Sequence, residues 1–339
     1  MHKRYLVTGG AGFIGSHLID SLLQAGAEVV CIDAFHDYYD PSRKRANVGR
    51  HLVHDRYRLV EADIRDAGRM RSLVAEHRPE VIVHLAARAG VRASIQEPYL
   101  YQEVNVGGTL NLLEAARCAG VKKFINASSS SVYGENPKIP FAETDALLCP
   151  TSPYAASKLS AEALVHVYAR QYGFTAASLR FFTVYGPRQR PDMAISKFSS
   201  LMLRGKPIEI YGDGTARRDF TYVEDIVRGI RLAADVEFCG HQLFNLGCAE
   251  PVKLTELVDE LERALAIKAE RLYGPTQPGD VPLTYSDISK ARRILGYVPQ
   301  VSLRQGLQRF ARSLSDQAQL HSLPPQSLPL AFEPAQMAL

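Results

Sequence analysis

The chain has 339 residues, enough at about 150 residues per domain for two domains or for one large domain with an appended lobe. Hydrophobic residues make up 46% and charged residues 22%, which excludes wholesale disorder and a fibrous repeat. A formal net charge of +4 without any polybasic block argues against a nucleic-acid or membrane-surface protein. No apolar run approaches the ~18 residues of a membrane span, and Met1-His2-Lys3-Arg4 leads into a strand-like run instead of a signal-peptide core, so the expected location is the cytoplasm. Five cysteines, Cys31, Cys118, Cys149, Cys239 and Cys248, form no Cys-x-x-Cys pair and no metal-ligand spacing with histidine. They read as buried, reduced thiols, and no metal is expected.

The first half alternates β-branched runs with helical patterns, the rhythm of a parallel sheet wrapped by helices. Predicted strands are 5–8, 28–32, 57–61, 81–85, 123–127 and 176–181, several of them continuous apolar runs that suit burial on both faces. Predicted helices include 15–25, with Leu18, Leu22 and Leu23 on one face, and 105–119, with Leu110, Leu113 and Ala116 on one face. Beyond Gly186 the rhythm loosens into shorter, proline-punctuated elements, as in a smaller lobe. From about Ser315 periodicity is lost, and a mobile tail over 315–339 is expected.

The first strand runs into Gly9-Gly10-Ala11-Gly12-Phe13-Ile14-Gly15 and then a helix. Gly9, Gly12 and Gly15 allow a tight turn, close backbone approach to a pyrophosphate, and helix-on-strand packing, with the helix N-terminus facing the negative charge. Asp33 closes the second strand, where a carboxylate can accept both ribose hydroxyls. It would repel a 2′-phosphate, which favours NAD over NADP, although His36, Arg43 and Lys44 lie nearby. Further on, Tyr154-Ala155-Ala156-Ser157-Lys158 sets a phenol and an ammonium four apart on one face of a helix introduced by Pro153, so that Lys158 could favour the phenolate of Tyr154. Ser128-Ser129-Ser130-Ser131-Val132-Tyr133-Gly134 follows the fifth strand, at the edge where such sheets bind ligands.

With its Gly-x-x-Gly-x-x-Gly loop, the chain resembles an extended short-chain dehydrogenase/reductase of the NAD-dependent epimerase/dehydratase family. The resemblance implies an α/β fold: a Rossmann-type doubly wound parallel sheet with a smaller mixed C-terminal substrate lobe. The NAD-binding domain is expected over 1–180, with the Ser/Tyr/Lys residues in it. The UDP-sugar lobe is expected mainly over 181–314, the chain crossing back to the first domain. Asp63 and Ile64 then lie by the adenine, Leu85, Ala86 and Ala87 line the cofactor cleft, and Phe13, Ile14 and Phe181 complete the cofactor set. Ser129 takes the catalytic Ser/Thr position, beside Tyr154 and Lys158.

Dehydrating relatives carry Asp-Glu where Ser130 and Ser131 stand, and decarboxylating relatives carry Glu at Ser131. Their absence leaves hydride removal and return, the chemistry of a 4-epimerase. The segments Asp37-Tyr38-Tyr39-Asp40-Pro41-Ser42, Ala89-Gly90-Val91-Arg92, Arg180-Phe181-Phe182-Thr183-Val184-Tyr185-Gly186-Pro187, Arg190-Pro191-Asp192-Met193-Ala194 and Arg218-Asp219-Phe220-Thr221-Tyr222 are similar to UDP-glucuronate 4-epimerases. Hydroxyls at Ser130 and Thr183 suit a C5 carboxylate. Arg92 reads equally as a charge for the substrate or as a solvent-facing loop arginine. Arg190 and Arg218 are expected at pyrophosphate and uridine, Asp280 at the uridine ribose, and Met193 in the same lining although its neighbourhood with Phe198 reads as packing. Where many relatives have a second phosphate-binding arginine, this chain has Gln277. His84 and His166 read as structural. A UDP-glucose/UDP-galactose or N-acetylated UDP-sugar 4-epimerase is the alternative, a non-catalytic NAD-binding sensor a further one. A homodimer through the helices 105–119 and 154–172 is expected from Leu112, Leu113, Leu159, Leu164 and Val167.

Overall fold

The computed structural model describes residues 2–146, 149–276 and 281–322. In chain order its strands are β1 (Arg4–Thr8), β2 (Glu28–Asp33), β3 (Tyr57–Glu61), β4 (Val81–His84), β5 (Lys123–Ser129), β6 (Thr175–Phe181), β7 (Thr183–Tyr185), β8 (Ile208–Tyr211), β9 (Arg217–Tyr222), β10 (His241–Leu246), β11 (Pro251–Lys253) and β12 (Arg271–Gly274). Seven of them form one sheet in the order β10-β6-β5-β4-β1-β2-β3, with every neighbouring pair parallel. The strand order reverses between β1 and β4, and the crevice beyond the carboxyl ends at such a switch point is where open α/β sheets bind ligands.

Period-two alternation divides each central strand between two apolar layers. On β1, Tyr5 and Val7 face a layer with Leu18, Leu22 and Leu23 of the helix Phe13–Gln24 and Ile226 and Ile230 of the helix Val223–Asp235. Leu6 faces the other layer, with Met70 and Leu73 of the helix Ala67–His77, Leu112 and Leu113 of Gly108–Ala119, and Val165 and Ala169 of Pro153–Tyr172. Every residue of β4 and β5 is buried, as expected of strands covered on both sides.

The fold departs from the sequence reading in four places. The sheet takes its seventh strand from His241–Leu246, beyond the point where the β-α rhythm loosens and where no strand is predicted. The helix expected over 105–119 begins as a π-helical turn, Gln102–Gly107, and is α-helical over Gly108–Ala119. Its buried stripe is Thr109, Leu112, Leu113 and Ala116, while Leu110 falls outside that arc and is 38% exposed. Regular structure continues past Ser315, because the helix Leu303–Ser322 anchors Leu307, Phe310 and Ala311 in the core with Leu314 packed against it. Among the cysteines Cys31 alone is buried. Cys118, Cys149 and Cys239 are exposed and Cys248 is half-buried, all free, because burial follows the face of the element and not the residue type.

The second lobe is small and mixed. β7 pairs parallel with β9, β9 antiparallel with β11, and β8 parallel with β12. Asp219 on β9 is fully buried, and its carboxylate accepts from the backbone of Cys248, Ala249 and Ser286 at 2.7, 3.0 and 3.2 Å and from the Ser286 hydroxyl at 2.5 Å. Burial pushes this carboxyl above its usual range, with those bonds opposing the shift.

Candidate active site

One cavity of about 440 Å³ runs over the carboxyl ends of β1, β4 and β5 and into the mouth of the second lobe. Its first end is built by the glycine loop. Gly9 has φ +67, and a Cβ there would lie 2.7 Å from the Ala86 nitrogen, so this turn can approach the end of β4 only as glycine. At Gly15 a Cβ would collide with the Gly9 carbonyl. Gly12 is the N-cap of the helix Phe13–Gln24 and supplies no side-chain cap, which leaves the first-turn N–H groups to an anion. Asp33, at the end of β2, accepts from Ala11 N at 3.1 Å and Phe35 N at 2.9 Å. Burial raises its carboxyl, while the Phe35 bond and Lys44 oppose the shift.

Phe13, Ile14, Asp63, Ile64, Leu85, Ala86, Ala87 and Phe181 line the same cavity. So do Ser129, Ser130, Tyr154, Lys158, Thr183, Arg190 and Met193 at its other end. The helix that carries Tyr154 and Lys158 starts cleanly: Pro153 occupies the first turn, and the Ser152 hydroxyl accepts from Ala155 N at 3.1 Å. β5 ends at Ser129, whose Oγ accepts from Ser131 N at 3.1 Å, and the short 3₁₀ turn Ser130–Tyr133 presents the next hydroxyls.

The electrostatics differ from the sequence expectation in one respect. Burial raises the Tyr154 phenol, and the groups that oppose the rise are the Ser129 hydroxyl and the Arg190 charge. Lys158 directs its ammonium to the Ala127 carbonyl at 2.8 Å. Burial brings Lys158 down to about 8, with Glu162 opposing. Arg190 is gripped by Asp192 through two bonds, Nε–Oδ1 at 3.0 Å and Nη2–Oδ2 at 2.8 Å, and lies 5.5 Å from the centre of the Tyr38 ring. Its charge therefore acts at the Tyr154 end of the cavity.

Arg92 and Arg218 do not line this cavity. Arg92 stacks 4.7 Å over the Tyr211 ring, on the second lobe, and Arg218 lies on β9 with Nη1 donating to the Arg217 carbonyl at 2.9 Å. Gln277 and Asp280 lie outside the described residues. The cavity also takes in side chains to which the sequence reading assigned no role. Tyr38 lies under Arg88 at 4.8 Å as well as beside Arg190. Arg88 is 7% exposed, donates to Glu97 at 2.7 Å, and keeps a buried Nε without a protein partner. Tyr38 was within reach of the motif Asp37-Tyr38-Tyr39-Asp40; nothing local marks Arg88. His84 is buried, as a structural histidine should be, whereas His166 is exposed and meets His241 edge-on with ring centres 5.7 Å apart.

Residues 5–247 match the NAD dependent epimerase/dehydratase family. A UDP-glucuronate 4-epimerase of Thermodesulfobacterium geofontis is 41% identical over 307 residues, spanning 90% of this chain and 94% of that one. Among solved structures, the UDP-glucuronic acid 4-epimerase of Bacillus cereus in complex with UDP-glucuronic acid and NAD is 38% identical, with a TM-score of 0.87 over 93% of this chain and 99% of that one. The UDP-glucose 4-epimerase of Thermotoga maritima with UDP-glucose is 36% identical, with a TM-score of 0.86 over the same shares.

Proposed function

The chain belongs to the NAD-dependent epimerase/dehydratase family, and from that premise we propose that it is an NAD-dependent nucleotide-sugar 4-epimerase interconverting UDP-glucuronate and UDP-galacturonate. The residues present fit the dinucleotide: Gly12 leaves the first-turn N–H groups without a side-chain cap, Asp33 offers a carboxylate for ribose hydroxyls at that end, and Lys158 places a buried cation at the other end of the cavity. NAD, when bound, supplies the acceptor and donor of hydride. The chain's own residues manage the proton and the sugar.

In this reading Tyr154 takes the proton of the C4 hydroxyl as hydride leaves C4, and Ser129 donates a hydrogen bond to that oxygen. The 4-keto sugar then turns over, and Tyr154 returns the proton as hydride reaches the other face. Ser129 and Arg190 oppose the upward pull of burial on Tyr154, and a protonated Lys158 at the same end of the cavity would add to them once substrate fills the site. A 4-keto uronate is a β-keto acid and loses CO₂ readily. The hydroxyls of Ser130 and Thr183 can hold its carboxylate out of the orientation for cleavage, each charge-assisted bond contributing about 1.5–3 kcal/mol.

The substrate choice is carried by that hydroxyl-lined wall beside Tyr154, since likeness to the UDP-glucuronate and UDP-glucose enzymes is nearly equal. The test is an NMR assay of products from a panel of UDP-glucuronate, UDP-glucose and UDP-N-acetylglucosamine. Conversion of UDP-glucuronate to UDP-galacturonate is expected; conversion of UDP-glucose alone replaces this reading with the plain UDP-glucose 4-epimerase.

The domain division at 180 and 314, a cytoplasmic location and a homodimer belong to the same proposal. Leu112 and Leu113 are consumed in the chain's own core, but Leu110, Val167 and Tyr172 stay exposed on the two helices expected to meet their symmetry mates. Light scattering should report twice the chain mass, and a monomer at micromolar concentration removes the dimer.

A further inference from the structure

Behind Lys158 lies a buried ion pair that the proposed chemistry does not use. Glu162 follows Lys158 by one helical turn and is 4% exposed, and Arg180 on β6 is 1% exposed. They join through two bonds, Nε–Oε1 at 2.9 Å and Nη2–Oε2 at 2.8 Å. The Ser128 hydroxyl donates to the same carboxylate at 2.5 Å. Arg180 also donates to the Tyr133 hydroxyl at 3.0 Å, which donates to Asn245 at 2.7 Å. A buried pair of this kind is weak evidence for stability, because well-packed apolar residues avoid its desolvation cost.

Its placement points to another role. Ser128 and Arg180 are direct lateral partners on β5 and β6, so one carboxylate on the helix holds both strands at the same level. The residues on either side of Ser128 touch the reacting groups: the Ala127 carbonyl receives the Lys158 ammonium, and the Ser129 hydroxyl meets the Tyr154 phenol. Any slip of the helix against the ends of these strands would disturb both contacts at once.

We infer that Glu162 is a positioning residue, resting on the epimerase reading above: through Ser128 and Arg180 it locks the helix bearing Tyr154 and Lys158 in register with the ends of β5 and β6. Its charge has a second effect. On its own helix Lys158 has Tyr154 one turn before it and Glu162 one turn after it, the latter bound to Arg180 of β6; from β4 it faces His84, kept neutral by burial, which lowers it to about 3. Burial drives Lys158 down and Glu162 opposes it. With the Glu162 charge removed, Lys158 loses its proton at lower pH.

The test follows turnover of UDP-glucuronate by the full chain with NAD across neutral to alkaline pH, with unfolding midpoints measured alongside. Glu162→Gln should lower kcat at least about tenfold with KM little changed, as expected when reacting groups are misplaced. Its alkaline limb should move to lower pH by about one unit, the order expected from losing one nearby charge. Glu162→Asp keeps the countercharge of Arg180, so it remains foldable should the glutamine variant fail; the shortened reach should lower kcat without moving the limb. Parent-like kcat in Glu162→Asp, or a folded Glu162→Gln that loses only stability and keeps the parent's limb, overturns the inference. If the parent turns over UDP-glucose and ignores UDP-glucuronate, the substrate reading fails, and the same comparison on UDP-glucose decides the role of Glu162.

Discussion

Tyr154 gains its proposed role from surroundings that removal of one oxygen barely disturbs. Its ring meets Tyr101 edge-on with centres 6.1 Å apart, and that contact survives in phenylalanine. Tyr154→Phe should therefore fold and retain NAD like the parent, while turnover falls by on the order of 100-fold or more, the usual contribution of a positioned general acid/base. Paired measurements of bound NAD and of kcat check this, and near-parent kcat would take Tyr154 out of the mechanism. At this scale, legibility in the sequence depended on whether a residue's role is local. Gly9, Gly12, Gly15 and Asp33 announce themselves through turn geometry within one strand-loop-helix unit, and Tyr154 and Lys158 through helical spacing. Arg88 does not, because it reaches the cavity only by tertiary packing: its guanidinium, from the loop after β4, stacks on the ring of Tyr38, which also neighbours Arg190 from the segment after β7. The same holds for Glu162, whose partners Ser128 and Arg180 lie 34 and 18 residues away in sequence.

Among the elements, those that repeat a strand-helix rhythm were legible and those that break it were not. β1 to β6 appear within a residue or two of their expected positions, but β10 is inserted into the main sheet from within the second lobe, where no local rhythm marks it. The π-helical turn Gln102–Gly107 likewise has no signature in hydrophobic periodicity, and the stripe after it is centred on Leu112 and Leu113 instead of including Leu110. The glycine turn allows a test that separates backbone conformation from close approach. Gly9 and Gly26 both have positive φ, +67 and +82, but a Cβ at Gly9 would press on the Ala86 backbone at 2.7 Å, whereas at Gly26 the nearest atom is the His2 ring at 3.9 Å. Gly26→Ala should cost about 1–2 kcal/mol of stability, with NAD affinity unchanged. Gly9→Ala must also displace the turn from β4, so it should lose NAD affinity about tenfold or more. NAD titration and urea unfolding of both variants check the contrast; equal NAD affinity in the two would mean that the turn tolerates displacement.

On the scale of the whole molecule, the interior that supports this cleft holds its histidines neutral. His84 sits between Thr8 and Thr109, with Nδ1 2.8 Å from the Thr8 hydroxyl and Nε2 3.0 Å from that of Thr109. The Thr109 proton is directed to the Asn105 carbonyl at 2.5 Å, so Nε2 carries the imidazole proton and Nδ1 accepts from Thr8. Burial lowers His84 to about 3, and it lowers His17 and His241 to about 4, with Arg188 and His166 respectively adding to the effect. Each folded value lies below the ordinary histidine value of about 6.5. Between those values the unfolded chain binds protons that the folded chain does not, so the histidine contribution is intact above about pH 6.5 and is lost as pH falls below it. Carboxylates contribute with mixed sign: burial raises Asp33 and Asp219, which opposes the histidine effect, whereas the lowered Asp20, held by Arg188, Arg50 and His51, acts in the same direction as the histidines. Comparing the parent with a variant that lacks one of these histidines isolates the histidine share, since the carboxylates are common to both. The urea midpoint should fall from about pH 7 to about pH 5, and His84→Gln, whose amide can still donate to Thr109 and accept from Thr8, should flatten that fall. A midpoint constant over this interval, or an equal fall in His84→Gln, would mean that the interior accommodates the imidazolium after all.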